Sequence, residues 1–233
     1  MSIPIQTRWR LARSLGKIGI TGPYILSDDE SYVIGQEVAK VDGSGVLACI
    51  AKRLSDQKTL GVIGRANDRL ACYSLRKVDG LSLLTTGYSS GTVEIWNIND
   101  PQKKPKYTIP HSKPIVKAIL TLDGQVCVSM TSDWFIYIWD LSGIQPRLIR
   151  EESVQKDRLE DNQLSKSKDR QVLIYGTFYV QTNGQRRLVL NVTQQSKKYF
   201  DPRRQRMDLH LWDLETGQAL HQVELVEGTS NNW

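Results

Sequence analysis

Cysteine is scarce in this chain. The three residues, Cys49, Cys72 and Cys127, are odd in number and widely separated, and no Cys-x-x-Cys pair or His/Cys ligand spacing occurs. That argues against a disulfide framework and a zinc site, so no metal is expected, and the thiols are expected to be reduced in a cytoplasmic chain. Long apolar runs are missing too, and nothing approaches the roughly 20 residues of a membrane span. The first residues, MSIPIQTRWRLARSLGKIGITG, are basic and lack the apolar core of a signal peptide. There is no glycine-rich phosphate loop, and no cofactor is expected. Neither sign of charge is in large excess. A net +6 over 233 residues permits an acidic partner without requiring one.

What is present is β-type patterning, clearest over residues 111–140, HSKPIVKAILTLDGQVCVSMTSDWFIYIWD. Residues 114–120 are apolar and β-branched, and Asp123-Gly124 is a two-residue hairpin signal. Residues 125–131 alternate, with Val126, Val128 and Met130 on one face. Ser132-Asp133 makes a second turn, and a third run over 135–141 ends in Trp139-Asp140. The apolar period is two rather than 3.6, which predicts an antiparallel meander. Four side chains stand apart from it. His111 precedes the first strand, Ser129 lies in the second, Asp133 sits in the turn and Trp139 in the third strand. A hydrolase triad of Ser129, His111 and Asp133 is disfavoured, because no nucleophile elbow surrounds Ser129 and a strand interior would bury its hydroxyl.

The closing Trp-Asp, with 22 residues from His111 to Asp133 and six more to Trp139, resembles the WD-repeat family of β-propellers. The resemblance implies a buried chain of hydrogen bonds from Asp133 to His111, from His111 to Ser129 and from Ser129 to Trp139. Buried imidazole, hydroxyl and indole groups need partners in any case. An orphaned one costs about 1–3 kcal/mol, against a net gain of about 1 for a bond that is made.

Other stretches repeat the pattern. Over residues 67–109, strands are predicted at 70–78, 81–87 and 92–98, with turns at Asp79-Gly80 and Ser89-Ser90-Gly91 and the marker Trp96-Asn97. Trp96 to Trp139 is 43 residues, inside the roughly 40–45 of this repeat type. Counting back from Trp96 puts Thr86 at the hydroxyl position, Ser90 at the Asp position and Asp68 at the His position, so the polar chain is altered there. A short outer strand is expected at 107–109, where prolines suit a sheet edge. The last repeat, 171–225, carries Trp212-Asp213, with strands at 171–180, 186–193, 208–214 and 218–225. Trp139 to Trp212 is 73 residues. The excess divides between a charged linker, 151–170, and a long excursion, 194–207. Residues 22–64 read as a degenerate repeat with strands at 24–26, 32–35, 46–50 and 60–63 and no Trp-Asp. Residues 1–21 are a basic arm or an added strand, and 227–233 a tail.

The expected fold is therefore all-β, a propeller of WD-repeat type with four four-stranded blades at approximately 22–64, 67–109, 111–150 and 171–225. The family's rings usually hold about seven. An incomplete ring is expected, completed by other polypeptide or by self-association. The resemblance implies a rigid platform for protein partners, and no motif points to chemistry, so the reading is a non-enzymatic scaffold. In a meander, the turns between second and third strands share one end of the sheet with the links between repeats. Both long excursions fall at that end. Lys197, Lys198, Tyr199, Phe200, Arg203, Arg204 and Arg206 are the expected contact residues there. The alternative is a nucleic acid or other acidic surface, since the same basic and aromatic mix suits phosphates and stacked bases.

Overall fold

The computed structural model describes residues 21–27, 31–100, 104–153, 170–182, 185–196, 206–214 and 219–225. Among them every regular element is a β-strand. The chain divides into two units, residues 1–64 and 65–233.

The first unit holds one antiparallel sheet of β1 (Thr21–Leu26), β2 (Tyr32–Val41), β3 (Ser44–Arg53) and β4 (Thr59–Ile63), in that order. The second unit holds three. The second sheet is β5 (Leu70–Val78), β6 (Leu81–Tyr88), β7 (Thr92–Asn97) and β8 (Pro105–Pro110). The third is β9 (Ile115–Leu120), β10 (Val126–Thr131), β11 (Phe135–Asp140) and β12 (Arg147–Ser153). The fourth is β13 (Arg170–Thr182), β14 (Gln185–Ser196), β15 (Arg206–Asp213) and β16 (Ala219–Leu225). Each is a meander with neighbouring strands in chain order.

The period-two pattern explains which way each strand faces. On β10, Val126, Val128 and Met130 join Ile119, Ile136, Ile138 and Leu214 in one buried cluster. Leu214 follows β15, so this cluster joins the third sheet to the fourth. Cys127 points the other way, into a cluster with Cys72, Leu83, Val93, Ile95, Ile109 and Leu120 that fastens the third sheet to the second. Val93, Ile95 and Ile109 are fully buried, and each contributes roughly 1.5–3 kcal/mol by leaving water. At the inner edges, β5 meets β9 directly. The Ser74 hydroxyl donates to the Ala118 carbonyl at 2.9 Å and Arg76 Nε to the Leu120 carbonyl at 3.4 Å.

Several boundaries differ from the sequence reading. Long pairing between β13 and β14, and on to β15, draws residues 194–196, 206 and 207 into strands, so the excursion shrinks to 197–205. Likewise β12 runs to Ser153, which takes Glu151 and Glu152 out of the linker. Glu152 accepts from Arg150 Nε at 2.6 Å and Glu151 from the Tyr137 hydroxyl at 3.4 Å. Asp123-Gly124 is not a two-residue hairpin. Gly124 has φ +66, Asp123 is not in the left-handed region, and the strands are joined by residues 121–125. Thr121 and Asp123 cause this, because Asp123 Oδ1 accepts the Gln125 N–H at 3.0 Å while Thr121 Oγ1 accepts the Val126 N–H at 3.1 Å.

A β-bulge recurs between third and fourth strands. It falls just before Trp96, Trp139 and Trp212, and in the first sheet between Ala51 and Lys52. Lys52 lies 44 residues before Trp96, so Lys52-Arg53 occupies the place of the missing Trp-Asp. Lys52 is ion-paired with Glu37 at 2.7 Å.

Candidate functional site

The polar centre of the second unit lies where the link after β8 meets the third sheet. The backbone N–H of His111 donates to the Gly91 carbonyl at 2.8 Å, and ring Nδ1 lies 3.1 Å from the same oxygen. Ring Nε2 lies 2.8 Å from Ser129 Oγ, and the Trp139 indole N–H donates to that oxygen at 3.2 Å. These distances assign the protons. A carbonyl only accepts, so Nδ1 carries the hydrogen, Nε2 accepts from the Ser129 hydroxyl, and Ser129 accepts from Trp139. The His111 ring also stands edge-on to Tyr137 and Trp139, with centroids 4.9 and 5.4 Å away. Phe135, Tyr137 and Trp139 share one face of β11 because they are two residues apart.

Asp133 is not a member of this chain. Its Oδ1 accepts from the Thr131 hydroxyl at 2.7 Å. Thr131 is two residues away across a tight turn, so that bond needs no loop closure, and the Gly91 carbonyl already satisfies His111 Nδ1. The expected Asp133-to-His111 link is thus replaced by a bond to the Gly91 carbonyl, which lies opposite His111 where the β7–β8 pairing ends.

Burial lowers the His111 pKa from its ordinary 6.5, opposed by hydrogen bonding to Gly91 and Ile109. The folded state therefore favours the neutral ring. Its stabilising bonds are intact above about pH 6.5, and stability is lost as pH falls through that value toward the folded pKa. The destabilisation caused by His111→Gln is accordingly expected to be largest above about pH 7 and to narrow on acidification. Urea midpoints of both proteins at about pH 7.5 and pH 5 check it, and a gap independent of pH would contradict the neutral-ring assignment.

The second sheet carries a chemically different version. Glu94 on β7 is 4% exposed, and burial raises its pKa. Arg65 opposes that, with Nε 3.3 Å from Glu94 Oε1, as do the Tyr88 hydroxyl and Trp96 indole, which face the carboxylate. Arg65 also pairs with Asp68 at 3.3 Å and stacks over the Tyr88 ring, 5.3 Å from its centroid. Asp68 Oδ1 accepts the Ser90 N–H at 3.0 Å, and Thr86 Oγ1 donates to the Glu94 carbonyl at 3.4 Å. So Glu94 takes the place in the second sheet that Tyr137 takes in the third, opposite Thr86 as Tyr137 is opposite Ser129, and Arg65 neutralises it. The sequence reading missed both. The available signal was Glu94 itself, an acid on an apolar strand, on the face of Trp96.

The remaining markers are turn-formers. Asn97 Oδ1 accepts the Asn99 N–H at 3.1 Å. Asp140 Oδ1 accepts from the Ser142 hydroxyl and N–H at 2.7 and 2.9 Å, while Oδ2 accepts from Arg147 at 2.8 Å. Those bonds hold the Asp140 carboxyl well below the usual range. Trp212 and Asp213 end β15, with Trp212 paired to Leu188 and Ala219. Gly87–Gly91 spells G-x-S-x-G, but it is strand–turn–strand rather than the strand–turn–helix of a nucleophile elbow. Among the described residues no group of His, Cys, Asp and Glu is placed to hold a metal. Cys49, Cys72 and Cys127 are buried free thiols, and burial pushes Cys72 up to about 12.

The turns between second and third strands gather with the inter-sheet links at one end. Ser89 N donates to the Arg69 carbonyl at 2.9 Å, His111 N to Gly91, and Ser132 N to the Pro114 carbonyl at 2.8 Å. Ser153 pairs with Phe135, Arg170 with Ser196, and Arg206 with Gln194. Segments 154–169 and 197–205 therefore attach at that end of their sheets. Lys197, Lys198, Tyr199, Phe200, Arg203 and Arg204 lie outside the described residues, and Arg206 begins β15.

No protein family matches the sequence, and no curated protein matches it. Solved structures do. One is a chain of "Crystal Structure of Mitotic Checkpoint Complex", with TM-score 0.56 at 14% identity, covering 86% of this chain and 52% of that one. The likeness is one of fold. This chain spans about half the length of that relative. In all, 917 solved chains match, so the fold is widely used and does not by itself name a function.

Proposed function

We propose that the chain is a non-enzymatic protein-interaction scaffold built from WD-type repeats, working in the cytoplasm as part of a propeller completed by further polypeptide. The observation that carries this reading is the shared end of the sheets. There, rigid turns held by His111, Gly91 and Asp68 border the attachment points of segments 154–169 and 197–205. Long segments rooted in a stiff sheet are where binding residues tend to lie. The likeness to a chain from a multiprotein complex supports the same class of activity. Exposed Tyr24 and Leu26, two residues apart on β1, support the completion by other polypeptide.

The partner face is centred on Lys197, Lys198, Tyr199, Phe200, Arg203, Arg204 and Arg206. Deleting residues 197–205 is expected to remove most partners recovered from a cell extract while leaving the urea midpoint unchanged. An unchanged partner set with an intact fold would refute the face. A salt titration separates a protein partner from a nucleic acid. Phosphate contacts give a steep fall of affinity with salt, roughly 0.7 to 0.9 log units per contact for each log unit of salt.

A further inference from the structure

A groove runs between the second and third sheets on the far side of this arrangement. One wall is β8, the edge strand of its sheet among the described residues. The other is the turn over residues 141–146 that joins β11 to β12, and Trp139 lies between them. The cavity is about 350 Å³, near the lower end of the roughly 300–1,000 Å³ of ligand pockets. The turn is fixed at both ends. Asp140 caps it through Ser142 and Arg147, and the Tyr107 hydroxyl crosses from β8 to the Leu141 and Gly143 carbonyls at 2.9 and 3.1 Å. On this rigid turn Ile144 is 96% exposed, beside Pro146 and the groove. The floor is equally fixed, since Trp139 is tied to Ser129.

Charge points to the kind of occupant. Among the described residues Lys106 is the charged one lining the groove, and no carboxylate lines it. Lys104 is exposed just before the strand. The nearby acid, Asp140, is already taken by Arg147 and Ser142. The strand sets the length. Pro105 and Pro110 bound β8 and donate no N–H, so edge pairing is confined to the four residues between them.

We propose that this groove docks a short extended segment of an acidic protein partner. It lies along the edge strand β8, with an apolar side chain against Trp139 and Ile144 and a carboxylate on Lys106. This surface lies at the opposite end of the third sheet from the β10–β11 turn, so it is independent of residues 197–205.

Panning the full chain against a phage-displayed library of random decapeptides tests it, with enriched peptides re-measured by fluorescence anisotropy. Enriched sequences are expected to place an Asp or Glu within two positions of a large apolar residue. Ile144→Ser and Lys106→Glu are each expected to weaken binding about tenfold or more, whereas deletion of 197–205 leaves it unchanged. Lys106→Glu is further expected to bind better when the peptide acid is changed to Lys. Both side chains are exposed, so melting temperatures should hold. If Ile144→Ser fails to fold, Lys106→Glu and the charge swap decide the matter. Failure to enrich any peptide overturns the proposal, as does binding indifferent to both substitutions or lost only on deletion of 197–205. If no peptide enriches and Ile144→Ser turns a sedimenting dimer into a monomer, the occupant is a second copy of this chain and the proposal fails.

Discussion

Trp139→Ala is expected to destabilise the chain by about 3–5 kcal/mol, the range for losing a core aromatic. Three losses combine. The indole packs against the cluster joining the second and third sheets. Its N–H leaves Ser129 Oγ, and the edge contact with His111 disappears. Trp139→Phe separates these effects. Phenylalanine keeps most of the apolar area and loses the donor, so it should cost far less, about 1 kcal/mol beyond the lost area. Chemical denaturation gives both numbers. An unchanged midpoint for the alanine variant would mean that the His111–Ser129–Trp139 network does not support the fold.

Gly91→Ala should cost about 2–5 kcal/mol, a large effect for one added methyl. Gly91 has φ +91, where an L side chain is strained by about 1–2 kcal/mol. A Cβ there would also lie 2.5 Å from the His111 carbonyl oxygen and 2.7 Å from that of Lys113. Both are backbone atoms, so no rotamer change relieves the clash, and overpacking adds about 1–3 kcal/mol. Gly43→Ala is the matched control. Its φ is +81, but nothing lies within 4 Å of the added Cβ, so only the dihedral penalty should appear. Equal midpoints for the two variants would show that the link after β8 does not press on the β6–β7 turn as described. At the corresponding place in the third sheet stands Trp134, with φ +67, held there by packing against the buried cluster of Ile136 and Ile138.

Local patterns were the legible part. Alternation on β10 placed Val126, Val128 and Met130 together. Asp42-Gly43 and Asp79-Gly80 have positive φ at both residues, as two-residue hairpins joining extended strands require. Asp123-Gly124 has the same letters and a different turn, because Thr121 supplies a competing hydroxyl that a dipeptide signal does not include. The spacing of Trp96 and Trp139 fixed equivalent positions, and the bulge before each tryptophan adds Lys52 to the series. No residue pattern marks that place in β3, since a backbone irregularity leaves no side-chain signature there.

What the amino-acid sequence determined by itself was the strand period, most turn positions and the 43-residue repeat, all set by sterics and burial within a few residues. Tertiary structure alone decided the partners. The β7–β8 register sets the Gly91 carbonyl opposite His111, leaving Asp133 to Thr131, and only the approach of the third sheet to the second brings Ser129 to the other ring nitrogen. Arg65 can reach Glu94 only once residues 29 apart in the chain are folded together. The groove, too, exists only because β8 and the turn before β12 face each other across Trp139. Hydrogen bonds and ion pairs act over a few ångströms, and which groups come that close is settled by how the sheets pack.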